Sequence, residues 1–195
     1  MDELNNYYKN ALLDNLCSEY RGYWQSAHND KEKLVRLALM QQCLPHLISY
    51  SYNGKGLSKD YILENFHDYI NGNYIGVNVD GVDGDYKTEL YVGFNCILTL
   101  CDDVLCTMWS TIPYLTLPTC KAAKIYCGCS SDLQISCDGF NNITIMLFDD
   151  SQIELTDFDQ TCSATIYKYS NDCKVDYGRF CLSKNIHEHQ KELRL

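Results

Sequence analysis

The sequence predicts an α+β protein: an N-terminal three-helix region over residues 1–75, a β-solenoid-like repeat over 76–182, and a C-terminal capping helix over 183–195. Three observations carry this. Apolar residues in the first part step by three and four, the spacing of amphipathic helices. From residue 74 onward the pattern becomes apolar alternation broken by turn formers. In that second part Leu105, Leu115, Ile125, Ile135, Ile145 and Leu155 fall ten apart, an internal repeat that decides architecture ahead of local propensity.

The helical elements follow in order. Leu4, Tyr8, Ala11, Leu12 and Leu16 predict one amphipathic helix over 2–27. Asn29 or Asp30 suits the N-cap of a second, over 31–43, with Leu34, Val35, Leu37 and Ala38 on its apolar side and Pro45 to stop it. Residues 49–56 read as a loop. Ser58 suits the cap of a third helix, 59–70, closed by Asn71 and Gly72. Helices this short are marginal alone in water, so they must pack on each other or on the β region.

In the β region, Asp80-Gly81 and Asp83-Gly84 are turn signals between strands over 75–79 and 89–94. Leu133, Ile143 and Ile153 form a second column, Cys127, Cys137 and Leu147 a third, and Val175 continues the first. Offsets of two keep parity, so all three columns lie on one face of a strand. Between them sit Ser130, Ser131 and Asp132, then Asp138, Gly139, Asn141 and Asn142, then Asp149, Asp150 and Ser151, then Ser170, Asn171 and Asp172. Each unit is about half strand and half turn. Two architectures satisfy this. In a β-solenoid two units make one flattened coil and equivalent residues stack as ladders; in an antiparallel β-sandwich each unit is a strand plus a hairpin. The even step and the small inward Cys127 and Cys137 favour the solenoid, with the antiparallel sandwich as the alternative. Residues 157–164 overrun the step by one residue, which a bulge or a longer corner absorbs. The charged stretch 183–195, with Ile186 and Leu193 seven apart, reads as a helix closing the exposed end of the last coil.

Composition narrows the function. At 195 residues with 46% hydrophobic content, 3 Pro and 11 Gly, the chain has enough apolar surface to fold without metal or disulfide staples. Its net charge is −10, and residues 76–180 carry 15 Asp/Glu against 6 Lys/Arg. Such a surface repels phosphate backbones, so no direct nucleic-acid binding is expected; the expected partner is a protein with a basic surface. The N-terminus lacks a basic start followed by an apolar stretch, and no run is long enough to span a bilayer. A cytoplasmic, non-membrane protein is therefore expected. In that setting the 12 Cys are reduced and mostly small core residues, and the Asn142-Ile143-Thr144 sequon has no role.

No motif assigns chemistry. No two Cys are spaced as Cys-x2-Cys; Cys127 and Cys129 are two apart, and Cys96, Cys101 and Cys106 step by five, so no zinc site is expected. His187 and His189 are two apart rather than the four that zinc on a helix requires. Asp80, Asp83 and Asp85 are turn residues without the calcium-loop pattern. The run from Asn53 through Gly54, Lys55 and Gly56 to Lys59 lacks the Walker pattern, and neither a nucleophile elbow nor a dinucleotide fingerprint occurs. His28, His46 and His67 lie far in sequence from most Cys. No catalytic residue, metal ligand or cofactor is assigned. The remaining candidates are binding residues: the aromatics Trp24, Tyr50, Tyr52, Tyr74, Tyr86 and Trp109, and the acidic Asp149, Asp150, Asp157 and Asp159. Tyr and Trp supply rigid amphipathic contact area at interfaces.

Several short motifs carry a resemblance: Tyr61, Ile62, Asn65 and Phe66; Asn71, Gly72, Tyr74 and Ile75; Tyr91, Val92, Phe94, Asn95 and Cys96; Ser151-x-Ile153-x-Leu155; and Ile166, Tyr167, Lys168 and Tyr169. Through these, over most of its length, the chain resembles a loosely defined set of uncharacterised proteins of gut Bacteroidota and of the phages and mobile elements that infect them. The resemblance implies a bacterial or phage cytoplasmic setting and carries no activity; the many Cys depart from it. The function expected is a non-enzymatic, acidic protein-interaction module. One version is an inhibitor of a host nucleic-acid-binding defence enzyme. The alternatives are a structural or assembly component of a phage or mobile element, and an enzyme with an unrecognised Cys or Asp site.

Overall fold

The computed structural model describes residues 3–42, 49–66, 70–71, 75–77, 85–86, 90–92, 95–100, 104–116, 122–136, 142–156, 162–178 and 185–192. Four helices occupy the N-terminal part: α1 (Glu3–Leu13), α2 (Ser18–Ala27), α3 (Lys31–Gln42) and α4 (Lys59–Phe66). The single helix expected over 2–27 is two. Asn15 takes φ 64°; the Leu16 N–H donates to the Ala11 carbonyl at 2.8 Å and the Asn15 N–H to that of Leu12 at 3.3 Å. This left-handed closure satisfies the last carbonyls of α1 and turns the chain, although the apolar spacing runs on through Leu16.

The other caps stand where the sequence places them. Asp30 Oδ1 accepts the Lys33 N–H at 3.1 Å and starts α3; Ser58 Oγ accepts the Tyr61 N–H at 3.1 Å and starts α4. The Glu3 carboxylate in turn accepts the Ser58 N–H at 2.8 Å, tying the start of α1 to the start of α4. The third predicted helix is shorter than expected: α4 ends at Phe66, and Ile70–Asn71 is a strand, β1, antiparallel to β2 (Ile75–Val77).

The β region continues with β3 (Asp85–Tyr86), β4 (Leu90–Val92), β5 (Asn95–Leu100), β6 (Val104–Met108), β7 (Thr111–Thr116), β8 (Ala123–Gly128), β9 (Asp132–Ser136), β10 (Ile143–Leu147), β11 (Gln152–Thr156), β12 (Ala164–Lys168), β13 (Lys174–Tyr177) and β14 (Ile186–Gln190). From β4 on the chain alternates between two sheets, ordered β1-β2-β4-β6-β8-β10-β12-β14 and β13-β11-β9-β7-β5-β3. Beyond β1 and β2, the pairings among the described residues are parallel. This is the β-solenoid and excludes the antiparallel sandwich. β2 and β4, on either side of the Asp-Gly pairs, are parallel neighbours; the pairs themselves lie outside the described residues.

The ten-residue column divides between the sheets. Leu105, Ile125, Ile145 and Ile166 stack on one; Leu115, Ile135 and Leu155 stack on the other. All seven are fully buried, in one core. The second column divides too: Ile143 stacks with Ala123 and Ala164, whereas Leu133 and Ile153 stack with Ile112 and Val175. Val175 therefore lies on Ile153 rather than continuing the Leu155 column, where Tyr177 sits instead. Ile166 stacks twenty-one positions after Ile145, the one-residue overrun the sequence shows in 157–164. Cys127 stacks on Leu147; Cys137 is outside the described residues.

The C-terminal segment is the strand β14, not a helix. It pairs in parallel with β12, His187 opposite Thr165 and Glu188 opposite Ile166. A helix there would leave the backbone groups on the side of β12 facing away from β10 without strand partners, a cost that outweighs the seven-residue spacing of Ile186 and Leu193. The helices pack on the outer side of the first sheet: Tyr7, Ala11, Trp24, Val35, Leu57 and Ile62 share a buried cluster with Cys106, Met108 and Cys129. Among the described residues no helix is long and apolar enough to cross a membrane.

Candidate functional site

Where the first sheet hands over to the second, successive coils stack corners of one design. Trp109, Cys129 and Asp149 take φ of 50°, 51° and 60°, and each is followed within two residues by a buried serine. The hydroxyls of Ser110, Ser131 and Ser151 donate to the carbonyls of Met108 (3.1 Å), Gly128 (2.8 Å) and Phe148 (2.6 Å). The N–H groups of Asp132, Gln152 and Lys174 then donate to the carbonyls of those serines at 2.8, 2.8 and 3.1 Å, joining coil to coil.

The corner grows toward the C-terminus. Trp109 and Ser110 are adjacent, Ser130 separates Cys129 from Ser131, Asp150 separates Asp149 from Ser151, and Asn171 and Asp172 separate Ser170 from Cys173. These added residues are exposed. With Gln152 and Lys174 they line a depression of about 590 Å³. The Ser130 hydroxyl lies 2.8 Å from both Asp150 carboxylate oxygens and holds that carboxylate in place.

The loop between α3 and α4 brings the helical part to this corner. Tyr52 is 47% exposed; Asp150 first, then burial, Asp149 and Asp172, push its phenol above the ordinary tyrosine range. Tyr50 turns the other way and is core: its hydroxyl donates to Asp14, and the Lys55 ammonium lies 5.6 Å from its ring centre and 3.4 Å from Asp14. Asp149, only 7% exposed, accepts the Cys129 N–H at 2.8 Å. Burial raises its pKa and Asp150 adds to this, against the Cys129 N–H and the Ser49 hydroxyl, which lower it.

The structure thus joins Tyr52, Asp149 and Asp150 and sets Trp109 in the same corner column, half-buried against the helical core. Trp24 stands apart, packed between α1 and α2 against Tyr8 and Tyr7. Tyr74, Asp157 and Asp159, and the side chain of Tyr86, lie outside the described residues. Asp172, Asn171, Lys174 and Ser130 were not among the sequence candidates. The signal for them was the turn cluster Ser170-Asn171-Asp172 recurring after Asp149-Asp150-Ser151, which marks a stacked corner once the repeat is read as coils.

Burial pushes the thiols of Cys127, Cys129 and Cys173 upward, the direction that makes a cysteine inert. Among the described residues no three His, Cys, Asp or Glu side chains are grouped to hold a metal ion. Compared with protein-family models, with curated proteins and with solved structures, the chain matches none.

Proposed function

We propose that this chain is a non-enzymatic protein-interaction module of bacterial or phage origin, working in the cytoplasm, that engages a partner's basic surface through its acidic corner. The observation that supports this most directly is the meeting of Asp149, Asp150 and Asp172 with the exposed Tyr52 beside the 590 Å³ depression. Lys174 is the one cation among the described residues lining that depression. An acidic concavity steers basic partners toward it and disfavours acidic ones, and a tyrosine at its edge supplies contact area at little entropic cost. The raised thiol pKa values of Cys127, Cys129 and Cys173 speak against these three as nucleophiles of the rival enzyme reading. Inhibition of a nucleic-acid-binding defence enzyme is the version of this reading that the overall acidity favours, since carboxylates would occupy the groove meant for phosphates.

The test is capture from a bacterial lysate with wild type and with Asp150→Lys/Asp172→Lys. Wild type is expected to retain a basic protein that salt elutes, with affinity at least about tenfold weaker in the double reversal. Failure to capture any salt-sensitive partner, or equal capture by the reversed protein, overturns the proposal.

A further inference from the structure

A second concavity lies in the helical part and, among the described residues, shares no lining residue with the acidic corner. Leu4, Asn5 and Tyr8 of α1, Trp24 and Gln25 of α2, His28 just beyond α2 and Leu34 of α3 enclose about 190 Å³. Its wall is aromatic. Tyr8 stacks on Trp24 with ring centres 4.9 Å apart and planes 23° apart, and Tyr7 lies against Trp24 at 5.9 Å. The indole is also fixed by its own N–H, which donates to Oε1 of the fully buried Gln41 at 3.2 Å. The rim is polar: Asn5, Gln25 and His28 are exposed and offer amide and imidazole donors and acceptors. His28 holds its place at φ 47° and ψ −118°, a conformation uncommon for any residue but glycine.

Apolar walls with a few convergent polar groups are the anatomy of a small-molecule site. Size and charge then narrow the ligand. A cavity of about 150 Å³ accommodates a benzene ring, so this cleft takes one small ring system and excludes a peptide segment or a sugar chain. Among the described residues no Asp, Glu, Lys or Arg lines it, which selects an uncharged molecule, and the fixed Tyr8–Trp24 wall selects a planar one. We infer that the cleft between α1, α2 and α3 is a binding site for a small, uncharged heteroaromatic molecule of about the size of indole, stacked against this wall and hydrogen-bonded at the Asn5, Gln25 and His28 rim. It depends on no part of the acidic corner.

The experiment is titration of ¹⁵N-labelled full-length protein with free indole, following the Trp24 side-chain N–H signal, which the Trp109→Phe variant assigns. A saturable shift is expected, with Kd of about 0.1–1 mM for so small a ligand. Leu34→Phe, which fills the cleft from its aliphatic side, should abolish the shift. Tyr8→Leu, which removes the stacking ring, should weaken binding about tenfold; the rest of each spectrum reports whether the variant is folded. Cyclohexanol, of similar size but not planar, should leave the signal in place. The inference is overturned by no saturable shift up to about 10 mM indole, by an unchanged shift in folded Leu34→Phe or Tyr8→Leu, by an equal response to cyclohexanol, or by a response to a tryptophan-bearing peptide without one to free indole.

Discussion

Asp149 holds a backbone φ of 60° while its carboxylate accepts the Cys129 N–H, a pair of demands that aspartate and asparagine meet best. Asp149→Asn keeps both and removes a buried charge from beside Asp150, so it should be neutral or stabilising near neutral pH. Asp149→Ala strands the Cys129 N–H in a buried turn and should cost about 1–3 kcal/mol in urea unfolding. The pH dependence has a definite sign. Because burial raises the Asp149 pKa, with Asp150 adding to it, the native state holds this proton more tightly than the unfolded chain does. The resulting stability is complete below the ordinary carboxylate value of about 4 and is lost as pH rises through the raised value. Asparagine has nothing to lose, so the stability of Asp149→Asn relative to wild type should grow from acid toward neutral pH; a constant difference would rule out the buried carboxyl as the cause. Asp149 and Asp150 look alike in the sequence, as two acidic turn formers. What separates them, one buried as a cap and the other exposed beside the depression, is the left-handed turn between them, and adjacent identical residues carry no mark of it.

The elements show where a repeat is legible and where it is not. The columns of Leu105 through Leu155 could be read because strand parity sends equivalent residues inward, and the steady ten-residue step already favoured stacked coils over hairpins. Corner length was hidden, since residues such as Asn171 and Asp172 add to a turn without disturbing the strands on either side; that is how Val175 comes to rest on Ile153. Periodicity also concealed the break after α1, because Leu16 is buried and fits the helical spacing while belonging to the turn. Ser131→Ala and Ser151→Ala each remove the hydroxyl that satisfies a corner carbonyl, and each should lower stability by about 1 kcal/mol, with less than full additivity in the double variant because the two serines are stacked neighbours. Ile145→Ala, between Ile125 and Ile166, should cost about 2–5 kcal/mol, since fixed coils above and below keep the cavity from collapsing. A loss below 1 kcal/mol for Ile145→Ala would mean that the ladder repacks freely.

At the scale of the whole molecule, the question a solenoid poses is what stops it from growing. Among the described residues the apolar ladder Leu105, Ile125, Ile145, Ile166 runs to Glu188, and the facing ladder Leu115, Ile135, Leu155 runs to Tyr177. The two terminal residues meet: the Tyr177 hydroxyl donates to Glu188, whose other oxygen lies 3.0 Å from the Lys168 ammonium. Burial alone would raise the Glu188 pKa, but Tyr177 and Lys168 outweigh it and hold it below the ordinary range. A charge set in line with the core makes a second chain's apolar ladder an unfavourable continuation, one of the devices by which natural sheets avoid joining at their ends. The charged C-terminal segment, expected as a helix, is the strand β14 at this position. Because the Glu188 pKa is depressed, what it contributes to stability is present above the unfolded carboxylate value and fades as pH falls through the folded one. Acid should therefore loosen the last coil first, visible as earlier amide exchange in β14 than in β10. Glu188→Leu extends the ladder to the edge and should produce concentration-dependent dimers or larger species by light scattering, while Glu188→Gln keeps a polar end and stays at the wild-type mass. If Glu188→Leu also keeps the wild-type mass at every concentration, the terminal carboxylate is not what isolates the solenoid.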